Sequence, residues 1–153
     1  MDAPDVLWSL SAILLALSAG TAFTHVLEIP GKNGLPHEAV VAIHQRLNVG
    51  YRYAGAVIEA LQLAGLATAA VLTLGEGGRF WLTVAALAAD LGTALVFLGI
   101  TDRQNRWMAR CPADAPPSEG WRRARARWER SHGARAVLFT GALALLLVAL
   151  ATS

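Results

Sequence analysis

Four long apolar stretches, at about residues 6–27, 54–74, 80–100 and 136–151, limit what this chain can become. Each nearly reaches the roughly 20 helical residues that cross the hydrocarbon core of a bilayer. Only 16% of the residues are charged, well below the roughly 25% of ordinary soluble domains. The chain of 153 residues therefore reads as one all-α unit, an integral membrane four-helix bundle with no separate soluble domain. Its spans are expected at about 6–29, 51–74, 79–102 and 131–151. "SAGTA" near the end of the first stretch resembles a signal-peptide cleavage site. The preceding "MDAPD" is acidic where a signal peptide is basic, so the stretch is kept as a span.

Basic residues set the expected orientation. With four spans, the two termini and the loop between spans two and three share a face, and that face carries only Arg79 of the 13 Lys and Arg residues. The remaining twelve fall on the opposite face. Positive loops stay in the cytoplasm, which predicts a bacterial-type inner membrane protein with both termini outside. The sequence pI of about 9.2 then reflects topology, and nucleic acid is not an expected partner. The run "WRRARARWERSH" suits anionic lipid headgroups. The single cysteine, Cys111, excludes an intrachain disulfide and a cysteine-based metal cluster.

Breakers divide the chain between the spans. Pro30 and Gly31 are expected to end the first helix. From His37 no further breaker appears until the "GEGG" turn at 75–78, which predicts a second helix much longer than a bilayer is thick. A third helix is expected from Arg79 to Met108. Ser118 is placed to cap a fourth, which would run through the arginine-rich segment into the last apolar stretch. Helices two to four thus extend into the cytoplasm as a head.

Polar residues fall on single helical faces. The second helix carries His44, Asn48, Tyr51, Gly55, Glu59 and Gln62 at spacings of 4, 3, 4, 4 and 3. The fourth carries Trp121, Arg125, Trp128, His132, Arg135 and Phe139. The third offers Asp90, Ala94, Phe97, Thr101, Asn105 and Met108, and the first Ser11, Ser18, Thr21, His25 and Glu28. Four such stripes are expected to face one another. By depth, His25, Glu28, Tyr51, Asn105, Trp128, His132 and Arg135 share a layer near the cytoplasmic boundary, with His44 further out. Glu59 and Asp90 lie deeper, where ionisable groups face the bundle or a wet cavity. Blander readings stand beside these. His25 with Glu28 suits an interfacial pair, Trp121 and Trp128 an aromatic belt, Arg52 with Asp102 a structural ion pair or lipid anchor, and Glu59 or Asp90 a hydrogen bond between helices.

The first helix ends in "THVLEIPG", the second opens with "AIHQR", and the third closes with "TDRQN". "W-x6-W-x3-H-x2-R" enters the fourth. Together these resemble a family of small four-span proteins, long labelled a domain of unknown function, that includes the fungal anthrone oxygenases of polyketide pathways. The match covers nearly the whole chain and rests on His25, Glu28, Pro30, Asn105, Trp128, His132 and Arg135. The resemblance implies oxidation of an anthrone-like or quinol-like aromatic molecule by molecular oxygen. The residue chemistry is consistent with that. His25, His44 or His132, with Glu28 beside them, could take a proton from an acidic carbon or phenol. Asn105 and Arg135 could stabilise the oxyanion. Tyr51, Glu59, Trp121, Trp128 and Phe139 are the expected ligand contacts, and no cofactor is required.

Four alternatives remain open at this point. His25, Glu28, His44 and His132 could bind a divalent metal, although the Glu-x-x-His repeats of di-iron bundles are missing. Histidines from two helices could hold a haem and make the chain an electron-transfer subunit. A non-catalytic membrane assembly component or small carrier would use Glu59 and Asp90 for packing. A channel would require a homo-oligomer.

Overall fold

The computed structural model describes residues 3–152, with the side chains of residues 3, 4, 48 and 49 outside that description; Asn48 of the second stripe is among these. The described residues form helices and no strand: α1 (Ala3–Leu27), α2 (Ile29–Asn33), α3 (His37–Leu72), α4 (Gly78–Val96), a π-helical segment (Phe97–Thr101), α5 (Asp102–Met108) and α6 (Glu119–Ala151). Four helical runs, 5–33, 50–72, 78–108 and 119–151, are long and apolar enough to cross a membrane.

The first break differs from the expected one. Pro30 lies in the first turn of α2, where a missing N–H leaves no bond unmade. The helix therefore falters only at Glu28. The Glu28 N–H still donates to the Thr24 carbonyl at 3.0 Å, and the Lys32 N–H donates to the Glu28 carbonyl at 2.9 Å. The chain turns instead over Gly34 to Pro36, and Pro36 (φ −55°, ψ 145°) caps α3. With 36 residues, α3 is about 54 Å long, against a hydrocarbon core of roughly 30 Å. The hairpin to α4 depends on Gly75 and Gly77, at φ 91° and 61°, where a side chain would be strained. The Ser118 hydroxyl accepts from the Trp121 N–H at 3.1 Å and starts α6.

α6 packs along α1 and α4, and α3 packs along the same two helices, so α3 and α6 stand on a diagonal. Between the helices lies a core of Trp8, Leu15, Leu66, Phe139 and Leu146, filled out mostly by alanines. Such small residues let apolar helices approach closely. A second core closes the far end, where Val40, Val41, Met108, Trp121, Ala124 and Trp128 join the first half of α3 to α5 and α6. This second core is the head. The outer faces stay apolar. Only 39, 22, 22 and 33% of the four apolar windows is buried within the protein, leaving residues such as Ile13, Val57, Leu95 and Val137 uncovered. Water would not tolerate so large an apolar surface.

Buried polar groups tie the helices together. The Trp8 indole N–H donates to Thr83 Oγ1 at 3.1 Å. Ser18 Oγ donates to Gln62 Oε1 at 2.9 Å, and Gln62 Nε2 donates to Asp90 Oδ1 at 2.6 Å. Gln62 thus links α1 to α4 through α3. The approach of α1 to α3 is close at Gly65, where a Cβ would stand 2.6 Å from Ser11 Oγ. At the head-distal end, Arg79 pairs with Asp5 at 3.0 Å and Glu76 at 3.2 Å, and lies over the Trp8 ring at 4.2 Å. Removing Gln62 leaves the Asp90 carboxylate only the long contact from Thr93 Oγ1 at 3.5 Å, and a buried acceptor left unpaired costs about 1–3 kcal/mol. Thermal unfolding in detergent should therefore show Gln62→Leu destabilised, with part of the loss recovered in Gln62→Leu/Asp90→Leu.

Candidate functional site

A cavity of about 440 Å³ lies just below the head, between α1, α3, the π segment and α6. His25, Tyr51, Glu59, Asn105, His132 and Arg135 line it. Arg52, Ala56, Ala60 and Leu98 also line it, and all four are exposed. They mark its rim along the seam between α3 and the π segment. Asp102 accepts from Arg106 at 2.7 Å and meets Arg52 at 3.7 Å across the head end of that seam, so these residues form the expected structural pair.

Arg135 and Glu59 form an ion pair at the inner end of the cavity. The Arg135 guanidinium sits 5.0 Å from the Phe97 ring centre and 5.3 Å from that of Phe139. Its Nε–H has no partner among the described residues. Phe139, expected as a ligand contact, is 1% exposed and belongs to the core. It supports Arg135 from below and does not reach the cavity. Phe97 is the aromatic wall in its place.

The opposite end is built from stacked rings. The Trp128 indole N–H donates to Asn105 Oδ1 at 2.6 Å, which leaves the Asn105 N–H2 as the donor available to the cavity. His132 lies tilted on the Trp128 ring at 4.2 Å, and its Nδ1 is 3.1 Å from the Trp128 carbonyl. A carbonyl only accepts, so Nδ1 carries the proton and Nε2 keeps the lone pair. Thr101 donates to Ser131 at 2.9 Å, and Ser131 donates to the same carbonyl at 2.7 Å. His25 meets His132 edge to face at 4.4 Å, with Tyr51 and Trp128 each 5.1 Å away. His25 Nδ1 is buried with no hydrogen-bond partner among the described residues.

Glu28 and His44 lie next door. With Lys32, Leu47 and Trp128 they line a small notch on the head side of His25. Glu28 is held by Lys32 at 2.5 Å, and its carboxylate stands 3.9 Å from His25. His44 packs 5.4 Å from the Trp128 ring, and its Nε2 has no partner among the described residues. Burial, then the charge of Lys32 and then His25, lower the His44 pKa from 6.5 to about 4, so it is neutral at pH 7. Trp121, also expected at the ligand, is in the head core, 5.0 Å from His37. It stands too far along α6 to reach the cavity.

Two contributors were missed by the sequence reading. Lys32 sits in a loop by every local signal, and only the persistence of the helix past Pro30 turns it back onto Glu28. The π segment has no clear mark in "FLGIT". It widens α4 by one residue, with Thr101 Oγ1 reaching the Val96 carbonyl five residues earlier at 3.5 Å. π-bulges recur at functional sites, and this one supplies Phe97, Leu98 and Thr101 to the lining.

The geometry bears on the divalent-metal set and on one of the possible haem pairs. Among the described residues, no three His, Cys, Asp or Glu side chains are grouped to hold a metal ion. The His25 and His132 rings touch, and rings in contact cannot flank a porphyrin plane. No protein-family model, curated protein or solved structure matches the chain.

The His44 pKa carries a sign. Between pH 6.5 and about 4 an unfolded chain takes up a proton at His44 that the folded chain refuses, so stability falls as pH drops through that window. Thermal unfolding from pH 7 to 4.5 should show a shallower loss in His44→Gln than in the native chain.

Proposed function

We propose that the chain is an integral membrane four-helix bundle with both termini outside and its head in the cytoplasm, and that its cavity oxidises a flat anthrone-like or quinol-like molecule with molecular oxygen. Membrane embedding is supported by the four apolar helices and their uncovered outer faces. The sidedness rests on the distribution of basic residues, twelve of 13 at the head end. The chemistry rests on the resemblance to anthrone oxygenases and on one observation: His132 Nε2, the Asn105 amide and the Arg135 guanidinium share a single apolar-walled cavity.

The reaction divides among these groups. The substrate enters from the lipid through the seam beside α3 and lies between Tyr51 and Phe97. His132 Nε2 takes a proton from the ring carbon opposite the carbonyl. Arg135, at the inner end, stabilises the resulting enolate oxygen by charge and hydrogen bonding, which is strongest in a site shielded from water, and the Asn105 N–H2, at the His132 end, donates to the peroxide oxygen that forms there. The enolate carbon gives its electrons to dioxygen and forms a C–O bond. Loss of water from the hydroperoxide leaves a second carbonyl, so a CH2 group and O2 become C=O and H2O. Before that loss, His132 returns its proton to the peroxide anion; it then takes the second proton from the same carbon as hydroxide leaves, and passes it to the hydroxide as water. The His25 ring, edge to face with His132, closes the head end of the substrate's space.

Oxygen uptake with 1,8-dihydroxyanthrone tests this reading. Detergent-purified protein should exceed the spontaneous oxidation rate and yield the anthraquinone. His132→Gln should lower the enzymatic rate by about 10²-fold or more, and Arg135→Lys by a similar factor. A native rate no faster than the spontaneous one, or one untouched by His132→Gln, would contradict the proposal.

A further inference from the structure

We propose that a groove on the outside of the bundle, between the π segment with α5 and the facing part of α6, binds an anionic phospholipid. The groove has a volume of about 490 Å³ and lies on the face of α4–α5 away from the cavity. Its lower wall is apolar, formed by Val96, Ile100 and Ala134. Its upper wall carries Arg103, Arg127 and Arg130. A second hollow of about 440 Å³ continues it up the head, sharing Arg103 and Arg127 and adding Arg110 and Arg123.

Charge and depth favour this occupant. Neither hollow has an acidic side chain in its lining. Three nearby carboxylates pair with other arginines than those of the groove, Glu129 with Arg125, Asp102 with Arg106, and Glu119 with Arg123 of the second hollow. Arg103, Arg127 and Arg130 are exposed and make no ion pair with another described residue. Three unneutralised guanidinium groups around one groove suit the phosphate of a lipid, which arginine can bind through two parallel hydrogen bonds. Counting about 20 residues in from the head-distal ends of α4 and α6 puts the membrane boundary near Gly99 and Ser131. The apolar wall thus lies at hydrocarbon depth, and the arginines stand one or two turns above it. One molecule with an acyl chain below and an anionic head above matches both halves. A free phosphate or an acidic peptide matches only the upper one. The inference needs the membrane embedding proposed above but is independent of the oxidation chemistry.

Native mass spectrometry of delipidated protein, titrated with phosphatidylglycerol or phosphatidylcholine, tests it. Partition of the same preparation into a detergent phase checks the embedding separately. Phosphatidylglycerol should bind several-fold more tightly than phosphatidylcholine. Arg103→Gln/Arg130→Gln should weaken that binding roughly tenfold, while Arg46→Gln/Arg122→Gln, equal in charge but outside the groove, should leave it within about twofold. Ala134→Phe, which fills the apolar wall without changing charge, should also weaken it. Thermal unfolding of each variant establishes that it is folded. Equal affinity for the two lipids, equal losses in the two arginine pairs, or glycerol phosphate binding as tightly as the lipid would overturn the proposal.

Discussion

The Arg135–Glu59 ion pair is the constraint on which the interior depends. A charge within an apolar helix is tolerated only with a partner, and each of these residues supplies the other's. The pair joins α6 to α3, the two helices that stand on a diagonal and do not pack along one another. The space between them is the cavity. Phe97 and Phe139 hold the guanidinium between their rings, so the charge is fixed in direction as well as in position.

The head end is ordered by a different means. The Trp128 carbonyl accepts from Ser131 and His132, and the Trp128 indole donates to Asn105. One residue thereby sets the tautomer of a histidine and the orientation of an amide on a neighbouring helix. Two buried atoms at this end have no hydrogen-bond partner among the described residues: His25 Nδ1, 3.9 Å from Glu28, and His44 Nε2 in the notch. Buried polar groups normally find partners. Three of the six side-chain atoms without one among the described residues, His25 Nδ1, His44 Nε2 and Arg135 Nε, belong to residues of the cavity and its notch, the others being Arg79 Nε, Asp90 Oδ2 and Asp102 Oδ1.

Much of this arrangement was legible in the sequence. His25, Tyr51, Glu59, Asn105, His132 and Arg135, each on one of the stripes at helical spacing, line one cavity. Glu28, His44 and Trp128 line the notch beside it instead, and Trp121 and Phe139 share the azimuth of His132 but not its depth. Trp121 lies eleven residues earlier, about 16 Å along the helix, and Phe139 lies two turns deeper in the core. Periodicity fixes the direction of a side chain, while the ends of a cavity are set by packing between helices. Pro30 looked like a stop because prolines end helices from within. Here it sits in a first turn, where it costs little, and Lys32 is folded back as a result. The π segment depends on how α4 fits against α6 and has no local signature in its residues.

The measurement that tests this account most directly is a double-mutant cycle on Glu59 and Arg135, read as affinity for a non-reactive anthraquinone through quenching of the tryptophan fluorescence. Either Glu59→Met or Arg135→Met leaves one buried charge unpaired, which costs about 3–5 kcal/mol of stability. The double variant should recover most of that stability while losing the affinity, because the cavity would keep its fold and lose its guanidinium. A double variant that binds the anthraquinone as tightly as the native protein would contradict a role for Arg135 in the site.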